Sequence, residues 1–281
     1  MRIFLTGGTG FIGNYLIKLL IENKYEVYAL NRNYNPCSDL FKNRVNWVKK
    51  GLDEINLNDL QGMEVIIHLA SAGVSPKKAS WEELEQVNIK SSLRLIRLAC
   101  KANVRRFIAA GTCLEYGEES NKWERIPPSA SLKPLTPYAI SKAKSFSLLK
   151  DFARINNIEM IYCRVFTAYG EGQYERNFWP SLNCAAKEGR DFCMSMGNQI
   201  RDFIPVNDVA NYFLKAIQRI DVLPREPFVV NIGTGIGLSL KEFAIQEWQR
   251  LEAKGKLLPG SLSTRRNEIH RIVADTIGLN S

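Results

Sequence analysis

Two side chains spaced four residues apart could carry proton transfer in this chain of 281 residues. Tyr138 and Lys142 fall in the stretch TPYAISKAKSFSLLKDFARI, where a threonine followed by a proline predicts the start of a helix. Residues at this spacing lie on the same face of a helix. A tyrosine with a pKa of about 10 is a poor acid or base at neutral pH, but a neighbouring ammonium stabilises the phenolate and lowers that pKa. The pair could therefore exchange a proton with a carbonyl or an alcohol.

A glycine-rich stretch near the N-terminus, TGGTGFIG, predicts a binding loop. Gly7, Gly10 and Gly13 stand between a predicted strand and a predicted amphipathic helix. In that context glycine lets the backbone turn sharply and approach a pyrophosphate, whose charge is met by the N-terminus of the helix. The spacing is G-x-x-G-x-x-G rather than the commoner G-x-G-x-x-G, but the flanking strand and helix still favour a dinucleotide. With the tyrosine and lysine, this indicates hydride exchange with a nicotinamide.

The residues that follow the second predicted strand bear on the ribose of that dinucleotide. The strand EVYAL ends at Leu30, and Asn31 and Arg32 come next. An acidic residue at this place would bind a 2′-hydroxyl and repel a 2′-phosphate, whereas a guanidinium can pair with the phosphate. We therefore expect NADP(H) to be preferred, with NAD(H) as the alternative if Arg32 is only a surface residue.

The elements that must position these groups alternate along the first part of the chain. Short apolar runs predict strands, and they are separated by stretches with helical periodicity; the predicted strands are RIFLT, EVYAL, VNWVKK, EVIIHLA and RRFIAAGT. Ser80 and Glu83 form a capping-box pattern that starts a long helix. A further strand, IEMIYCRVF, follows the helix of Tyr138. This alternation predicts an α/β fold with a doubly wound parallel sheet.

The composition excludes several classes of protein. With 45% hydrophobic and 24% charged residues, the chain is globular rather than disordered. It has no long apolar run, and MRIFLTGGTG lacks the pattern of a signal peptide, so we expect a cytoplasmic protein with no membrane partner. Six cysteines at no metal-type spacing and two histidines predict reduced thiols and no metal site. The net charge is +9, but the basic pairs are dispersed along the chain and form no single patch, so we expect no nucleic-acid partner.

Six motifs occur in the order found in the extended short-chain dehydrogenases/reductases, also called the NAD-dependent epimerase/dehydratase family, which this chain resembles. They are TGGTGFIG at 6–13, IIHLAS at 66–71, GTCLEYG at 111–117, YAISK at 138–142, RVFTAYG at 164–170 and RDFIPVNDVA at 201–210. The resemblance covers nearly the whole chain. It implies a Rossmann-type domain over 1–170, to which the chain returns around 201–235, and a smaller interleaved C-terminal region over 171–281. It also implies a nucleotide-sugar substrate and a homodimer that pairs helices from 80–100 and 138–152.

The resemblance assigns roles to individual residues. Tyr138 would be the general acid, Lys142 would hold the nicotinamide ribose and lower the pKa of the tyrosine, and Thr112 would hydrogen-bond the reacting oxygen of the sugar. Arg201 and Arg265 match arginines that pair with the diphosphate of the nucleotide. Tyr138 would also contact the cofactor. The remaining implied contacts are with the cofactor for Gly7, Gly10, Phe11, Ile12, Gly13, Asn31, Arg32, Leu69, Ala70 and Phe166, and with the substrate for Thr167 and Asn177.

Departures from the family pattern narrow the expected reaction. In the dehydratases of the family, Asp and Glu follow the catalytic threonine, whereas this chain has Cys113 and Leu114. The epimerase-reductases that form GDP-fucose have a cysteine at the position of Leu114 and use a histidine, but the two histidines here, His68 and His270, lie far from that motif in sequence. Acid–base chemistry at the carbons beside a ketone thus has no evident residue. Hydride transfer at a single carbon remains.

The C-terminal half is similar to nucleotide-sugar C4 ketoreductases. The stretch GNQIRDFIPVNDVANYF resembles those that form CDP-abequose and CDP-paratose. We therefore expect NADPH-dependent reduction of the C4 ketone of a CDP- or dTDP-linked 4-keto-6-deoxyhexose, giving a deoxysugar for cell-surface polysaccharide. The alternative enzyme is an NAD-dependent 4-epimerase acting on a UDP-sugar. An NADP-binding regulator on the same fold is disfavoured by the intact set Thr112, Tyr138 and Lys142.

Overall fold

The computed structural model of the chain describes residues 1–32, 41, 43–74, 78–263 and 269–279. The strands within these ranges are β1 (Arg2–Thr6), β2 (Glu26–Leu30), β3 (Val45–Val48), β4 (Val65–His68), β5 (Arg106–Thr112), β6 (Glu159–Val165), β7 (Thr167–Tyr169), β8 (Phe192–Met194), β9 (Ile200–Arg201), β10 (Phe203–Pro205), β11 (Phe228–Ile232), β12 (Leu238–Ser239), β13 (Leu257–Pro259) and β14 (Arg271–Ile272). In the described part of the chain, seven of them form one parallel sheet in the order β11-β6-β5-β4-β1-β2-β3. The predicted doubly wound α/β fold is confirmed.

Helices cover both faces of this sheet. The α-helices in the described ranges are α1 (Phe11–Glu22), α2 (Leu57–Leu60), α3 (Trp81–Leu84), α4 (Ser92–Lys101), α5 (Pro137–Ile155), α6 (Phe178–Lys187), α7 (Val206–Gln218) and α8 (Leu240–Arg250). A π-helical segment, Glu85–Ser91, joins α3 to α4. The long helix predicted after Ser80 is therefore one helical run with a widened middle turn. None of the helices in the described ranges is long and apolar enough to cross a lipid bilayer.

The alternating side chains of the strands separate two halves of the main core. Ile3 and Leu5 of β1 pack on one face with residues of α1 and α7, while Phe4 packs on the other face with residues of α4 and α5. This follows from the period of two residues along a strand. Because both faces are covered, the strands are continuous apolar runs, which is why their positions could be predicted. Their ends were predicted less well, since β3 stops at Val48 and β4 at His68.

The order of the strands places a crevice beside the glycine-rich loop. β1 lies between β2 and β4, so the chain winds away from β1 in both directions. In such sheets a ligand binds outside the carboxyl ends of the strands at this switch point. The loop Gly7–Gly10 follows β1, and Leu69 and Ala70 follow β4. The sheet thus brings two of the predicted cofactor-binding segments together.

A smaller core lies in the C-terminal part of the chain. Its buried residues come mainly from α6, α8 and β8, and they are Leu182, Ala185, Ala186, Met194, Ala244 and Trp248. The strand β13 pairs with β8 beside it. Between these elements the chain returns to the main sheet through β11. The domain boundaries expected at 170 and around 201–235 stay predictions.

Arg106 at the start of β5 is a buried guanidinium that holds the end of α7. Its Nη1 donates to the carbonyl oxygens of Ala216 (2.8 Å) and Ile217 (2.7 Å), and its Nη2 donates to that of Arg219 (2.6 Å). Its Nε donates to Glu159 on β6 at 2.7 Å. The last carbonyls of a helix have no partner within the helix, and a cation at this end also interacts favourably with the negative end of the helix dipole.

Replacing Arg106 by methionine is expected to lower the free energy of unfolding by about 3–5 kcal/mol, because it leaves Glu159 and the helix carbonyls without their buried partner. Urea denaturation followed by circular dichroism measures this change. Arg2 is a matched control, because it pairs with Glu26 at the equivalent cross-strand position of β1 and β2, with both side chains about half exposed. Arg2→Met should cause a much smaller loss. Equal losses would contradict the assignment.

Candidate functional site

The glycine-rich loop packs closely against neighbouring backbone and leads into the exposed N-terminus of α1. Gly7 has a φ of 74°, and a Cβ there would lie 2.7 Å from the amide nitrogen of Ala70. A Cβ on Gly13 would lie 2.2 Å from the carbonyl oxygen of Gly7. Gly10 is the exposed N-cap of α1, and no side chain caps the helix there. Phe11 and Ile12 form the first turn. The backbone N–H groups at the N-terminus of a helix can bind an anionic pyrophosphate, so the loop fits a dinucleotide.

The segment after β4 forms the neighbouring wall of the crevice. The N–H of Leu69 donates to the carbonyl oxygen of Thr6 at 3.1 Å, and the N–H of Ala70 donates to the Thr6 hydroxyl at 3.2 Å. The loop after β1 and the chain after β4 are therefore fixed to each other. At the end of β2, the N–H of the buried Asn31 donates to the Val48 carbonyl oxygen at 2.9 Å. Arg32 follows on the surface.

Lys142 is buried on α5, with its ammonium directed at β5. Its Nζ donates to the carbonyl oxygen of Ala110 at 2.8 Å, two residues before Thr112. Burial lowers the pKa of Lys142, and the negative charge of Glu115 opposes that change. The ammonium is therefore anchored beside the strand end that carries the predicted threonine.

Tyr138 is half-buried, one helical turn before Lys142. A Cβ on Gly73 would lie 3.6 Å from its ring, which places the ring beside the segment after β4. Burial raises the pKa of Tyr138, and a hydrogen bond with Ser71 opposes the rise. The expected lowering of this pKa by Lys142 is wrong for the arrangement observed, because burial dominates and the Lys142 Nζ donates to Ala110. Tyr138 is thus a protonated phenol, which suits a proton donor.

Thr112 is the last residue of β5 and lies two residues after Ala110, the acceptor of the Lys142 ammonium. Its side chain is largely buried, and its hydroxyl oxygen accepts the N–H of Leu114 at 3.3 Å. Its own N–H donates to Glu115 Oε1 at 2.9 Å. β5 therefore ends in a capped turn that presents Thr112, and the anchoring of Lys142 at Ala110 brings α5 to that end.

The groups next to this cluster are poor bases. Burial raises the pKa of the Cys113 thiol to about 12. His68 contacts the hydroxyl of Thr6 at 2.7 Å and that of Ser92 at 2.8 Å, and burial, with a smaller effect of Lys142, lowers its pKa to about 3. Both side chains are therefore neutral at neutral pH. Across the described ranges, no group of three or more His, Cys, Asp or Glu side chains is placed to hold a metal ion.

The remaining predicted residues, Phe166 for the cofactor and four others for the substrate, lie on different elements. Phe166 is buried after β6 and donates its N–H to Ile232. The N–H of Thr167 donates to the carbonyl oxygen of Asp202 at 3.0 Å, next to Arg201 on β9. The charge of Arg201 acts on the Cys113 thiol, so Arg201 faces the end of β5. Asn177 begins α6, away in sequence from this cluster. Arg265 lies outside the described residues.

Asn88 is a candidate site residue that the sequence pattern did not single out. It is buried in the π-helical segment, where its Nδ2 donates to Ser141 Oγ (2.9 Å) and to the Ala72 carbonyl (3.1 Å). Its Oδ1 accepts from the Ser71 hydroxyl at 2.9 Å. Asn88 thus joins α5 to the segment beside Tyr138. The signal was available, since an asparagine on the apolar face of an amphipathic helix needs buried partners.

Comparison with known proteins gives consistent matches over the chain. A family model described as the NAD dependent epimerase/dehydratase family matches residues 3–233. A protein of Methanocaldococcus jannaschii described as "Putative UDP-glucose 4-epimerase" is 27% identical, covering 97% of this chain and 89% of its own. CDP-abequose synthase of Salmonella typhimurium is 26% identical, covering 99% of this chain and 91% of its own. The solved structure of MoeE5 in complex with UDP-glucuronic acid and NAD has a TM-score of 0.87 at 26% identity, covering 100% of this chain and 91% of that one.

Proposed function

The chain belongs to the NAD-dependent epimerase/dehydratase family, and on that premise we propose that it reduces the C4 ketone of a nucleotide-linked 4-keto-6-deoxyhexose with NADPH. As a member of this family the chain is a nucleotide-sugar enzyme of the epimerase/dehydratase type that uses a nicotinamide dinucleotide. The proposal adds the reaction, the 2′-phosphate on the cofactor and the class of sugar. CDP and dTDP are the proposed nucleotides.

The observation that carries the proposal is that the described side chains beside Thr112 offer no available base. The one carboxylate next to it, Glu115, is held by hydrogen bonds from the Thr112 N–H, the Tyr162 hydroxyl and Arg164. A dehydration or an epimerisation beside the ketone needs a base that removes a proton from carbon. The neighbouring thiol of Cys113 has a pKa of about 12, Leu114 has no titratable group, and His68 has a pKa of about 3. These residues favour a reaction in which proton transfer is confined to one oxygen, as in reduction of a ketone.

The proposed mechanism gives each of these side chains one role. A nicotinamide dinucleotide, when bound, supplies the hydride that adds to C4. Tyr138 donates its phenolic proton to the C4 oxygen, and the Thr112 hydroxyl hydrogen-bonds that oxygen and orients the sugar. Lys142 would hold the ribose with its ammonium, which the Ala110 carbonyl oxygen anchors at the end of β5. The further proposed cofactor contacts are Gly7, Gly10, Phe11, Ile12, Gly13, Leu69, Ala70 and Phe166. The further proposed substrate contacts are Thr167, Asn177, Arg201 and Arg265.

The reaction is tested by following the nicotinamide against candidate sugars. Purified protein is incubated with NADPH and CDP- or dTDP-4-keto-6-deoxyglucose, and absorbance and product are measured together. One NADPH consumed per C4 alcohol formed supports the reductase. Interconversion of UDP-sugars at C4 without net loss of NADPH would replace it by the epimerase. Neither reaction, despite tight NADPH binding, would favour a regulator.

The 4-epimerase is a second candidate because similarity does not separate the two activities. The identity with the Methanocaldococcus jannaschii protein, 27%, is about that with CDP-abequose synthase, 26%. MoeE5 was solved with NAD and UDP-glucuronic acid. An epimerase must return its cofactor to the starting redox state. The sequence Asn31-Arg32 favours instead a cofactor that exchanges as NADPH, and so the reductase.

Arg32 provides a direct test of the cofactor. We expect Arg32→Ser to raise the KM for NADPH by about tenfold and to leave the KM for NADH within about twofold, because only NADPH carries the 2′-phosphate that the guanidinium can bind. Arg44 serves as the control, because it is an exposed arginine before β3, at the opposite end of these parallel strands from Arg32. Equal changes for both cofactors in Arg32→Ser would contradict the NADPH preference.

A homodimer is proposed through α3, α4 and α5. Trp81 and Leu148 are 38% and 41% exposed and line a common groove, where Lys144 stacks over the Trp81 ring. A second copy would cover these apolar side chains. We expect Leu148→Glu to convert the dimer to a monomer in light scattering, while Ile155→Glu, which changes a 77% exposed residue at the end of α5, leaves it dimeric. A monomeric wild-type protein would overturn the proposal.

A further inference from the structure

Glu115 is a fully buried carboxylate three residues after Thr112. Its Oε1 accepts the Thr112 N–H at 2.9 Å and the Tyr162 hydroxyl at 2.8 Å, and its Oε2 accepts Arg164 Nε at 2.8 Å. A buried charge is costly unless it is paired and hydrogen-bonded, and here three donors meet that need. The donors come from two adjacent strands, β5 and β6.

Arg164 is fixed as firmly as its partner. Its side chain is 1% exposed, and its Nη1 donates to the Tyr116 hydroxyl oxygen at 3.2 Å and to the Pro128 carbonyl at 3.0 Å. The guanidinium lies 4.4 Å from the ring centroid of Phe146, which belongs to α5. The ion pair therefore cannot turn without moving several elements.

Tyr162 connects this ion pair to the lysine of the site. Its hydroxyl, 2.8 Å from Glu115, is also 3.4 Å from the main-chain carbonyl oxygen of Lys142. Its ring lies 4.5 Å from that of Phe146. A Cβ on Gly111 would lie 2.3 Å from the Tyr162 ring and 2.8 Å from Glu115 Oε1, so the packing leaves these groups no room to shift.

We propose that Glu115 is a positioning residue of the reaction centre. It fixes the backbone of Thr112 directly, and by accepting the proton of the Tyr162 hydroxyl it holds that hydroxyl against the main-chain carbonyl of Lys142 on α5. It sets the spacing between the group that orients the C4 oxygen and the ammonium that binds the ribose. Its charge also counteracts the effect of burial on the pKa of Lys142. The inference rests on the proposed function for the role of Thr112, but its link to Lys142 can be measured through cofactor binding alone.

Tyr162→Phe tests the link with little risk to the fold, because only a hydroxyl is lost and the ring packing is kept. We expect kcat to fall about fivefold, with the KM for the sugar within about twofold, because the hydrogen bond that is lost positions the reacting groups and does not bind the sugar. Dinucleotide binding, measured by NADPH fluorescence, should weaken about fivefold. In a Lys142→Met background, adding Tyr162→Phe should change NADPH affinity by less than about 1.5-fold, because the link no longer has a target.

Tyr116→Phe is the matched control. It also removes a hydroxyl from the ion-pair network, since the Tyr116 hydroxyl accepts from Arg164 and donates to Asn231 at 2.6 Å, but these two partners lie on β6 and β11 rather than on α5. A purely structural network predicts equal changes in kcat and NADPH affinity for Tyr116→Phe and Tyr162→Phe, and that result would overturn the proposal. So would a Tyr162→Phe protein that binds NADPH as the wild type does. If the wild type reduces no 4-keto sugar but Tyr162→Phe selectively weakens NADPH binding, the proposed function fails and the positioning role stands.

Discussion

Replacing Tyr138 by phenylalanine is expected to lower the turnover of a 4-keto nucleotide sugar by about 10²- to 10⁴-fold, the usual contribution of a general acid. The phenol is half-buried beside Gly73, and burial raises its pKa, so it holds its proton at neutral pH. Phenylalanine keeps the ring in that place and removes only the proton donor. The other proposed cofactor contacts come from the glycine-rich loop, α1, the ends of β2 and β4, Phe166 and Lys142, so NADPH affinity should stay within about twofold of the wild type.

Two measurements separate this chemical loss from a loss of binding. Single-turnover oxidation of NADPH gives the rate of the chemical step, and fluorescence titration gives the dissociation constant. Tyr25→Phe is a control, because the Tyr25 hydroxyl accepts from Gln218 at 3.1 Å, far in the fold from the predicted site. Its rate should be that of the wild type. A Tyr138→Phe enzyme with full activity would contradict the mechanism, and a proportional loss of NADPH affinity would indicate a binding role.

The parts of this site that could be predicted from the sequence depend on local spacing. Tyr138 and Lys142 share a helix whose start is marked by Thr136 and Pro137, and the structure has that helix with Thr136 as its cap. The strands were recognisable because each is buried on both faces of a parallel sheet and is therefore a continuous apolar run. The glycine-rich loop was recognisable from its place between such a strand and an amphipathic helix.

The parts that could not be predicted depend on contacts between distant positions. Glu115 receives its donors Tyr162 and Arg164 from 47 and 49 residues further along the chain, and only the pairing of β5 with β6 brings them together. The prediction that Lys142 lowers the pKa of Tyr138 was wrong for the same reason. Its distance along the helix to Lys142 gives no information on burial, or on the Ala110 carbonyl that accepts the ammonium. Helical spacing predicts neighbours but does not predict their environment.

Gly13→Ala is expected to lower the free energy of unfolding by about 3 kcal/mol, the upper end of the usual cost of overpacking. Its new Cβ would lie 2.2 Å from the Gly7 carbonyl oxygen, and 2.7 Å and 2.8 Å from the Cα and carbonyl carbon of Gly8. All three atoms belong to the backbone, which cannot rotate away as a side chain can. The loop and α1 must therefore separate. Since that moves the N–H groups proposed to bind the pyrophosphate, turnover should also fall by about 10²-fold.

Gly10→Ala separates the two effects of the Gly13 change. Gly10 is exposed and has φ −84° and ψ 177°, a conformation that alanine adopts freely. A Cβ there would meet only the Gly7 carbonyl oxygen, at 3.1 Å. Stability should fall by no more than about 1 kcal/mol, while NADPH affinity falls about tenfold because the methyl group stands at the helix N-terminus where the pyrophosphate is proposed to bind. Thermal unfolding with and without NADPH measures both quantities. Gly13→Ala protein as stable as the wild type would show that the loop can yield, and unchanged NADPH affinity in Gly10→Ala would place the pyrophosphate elsewhere.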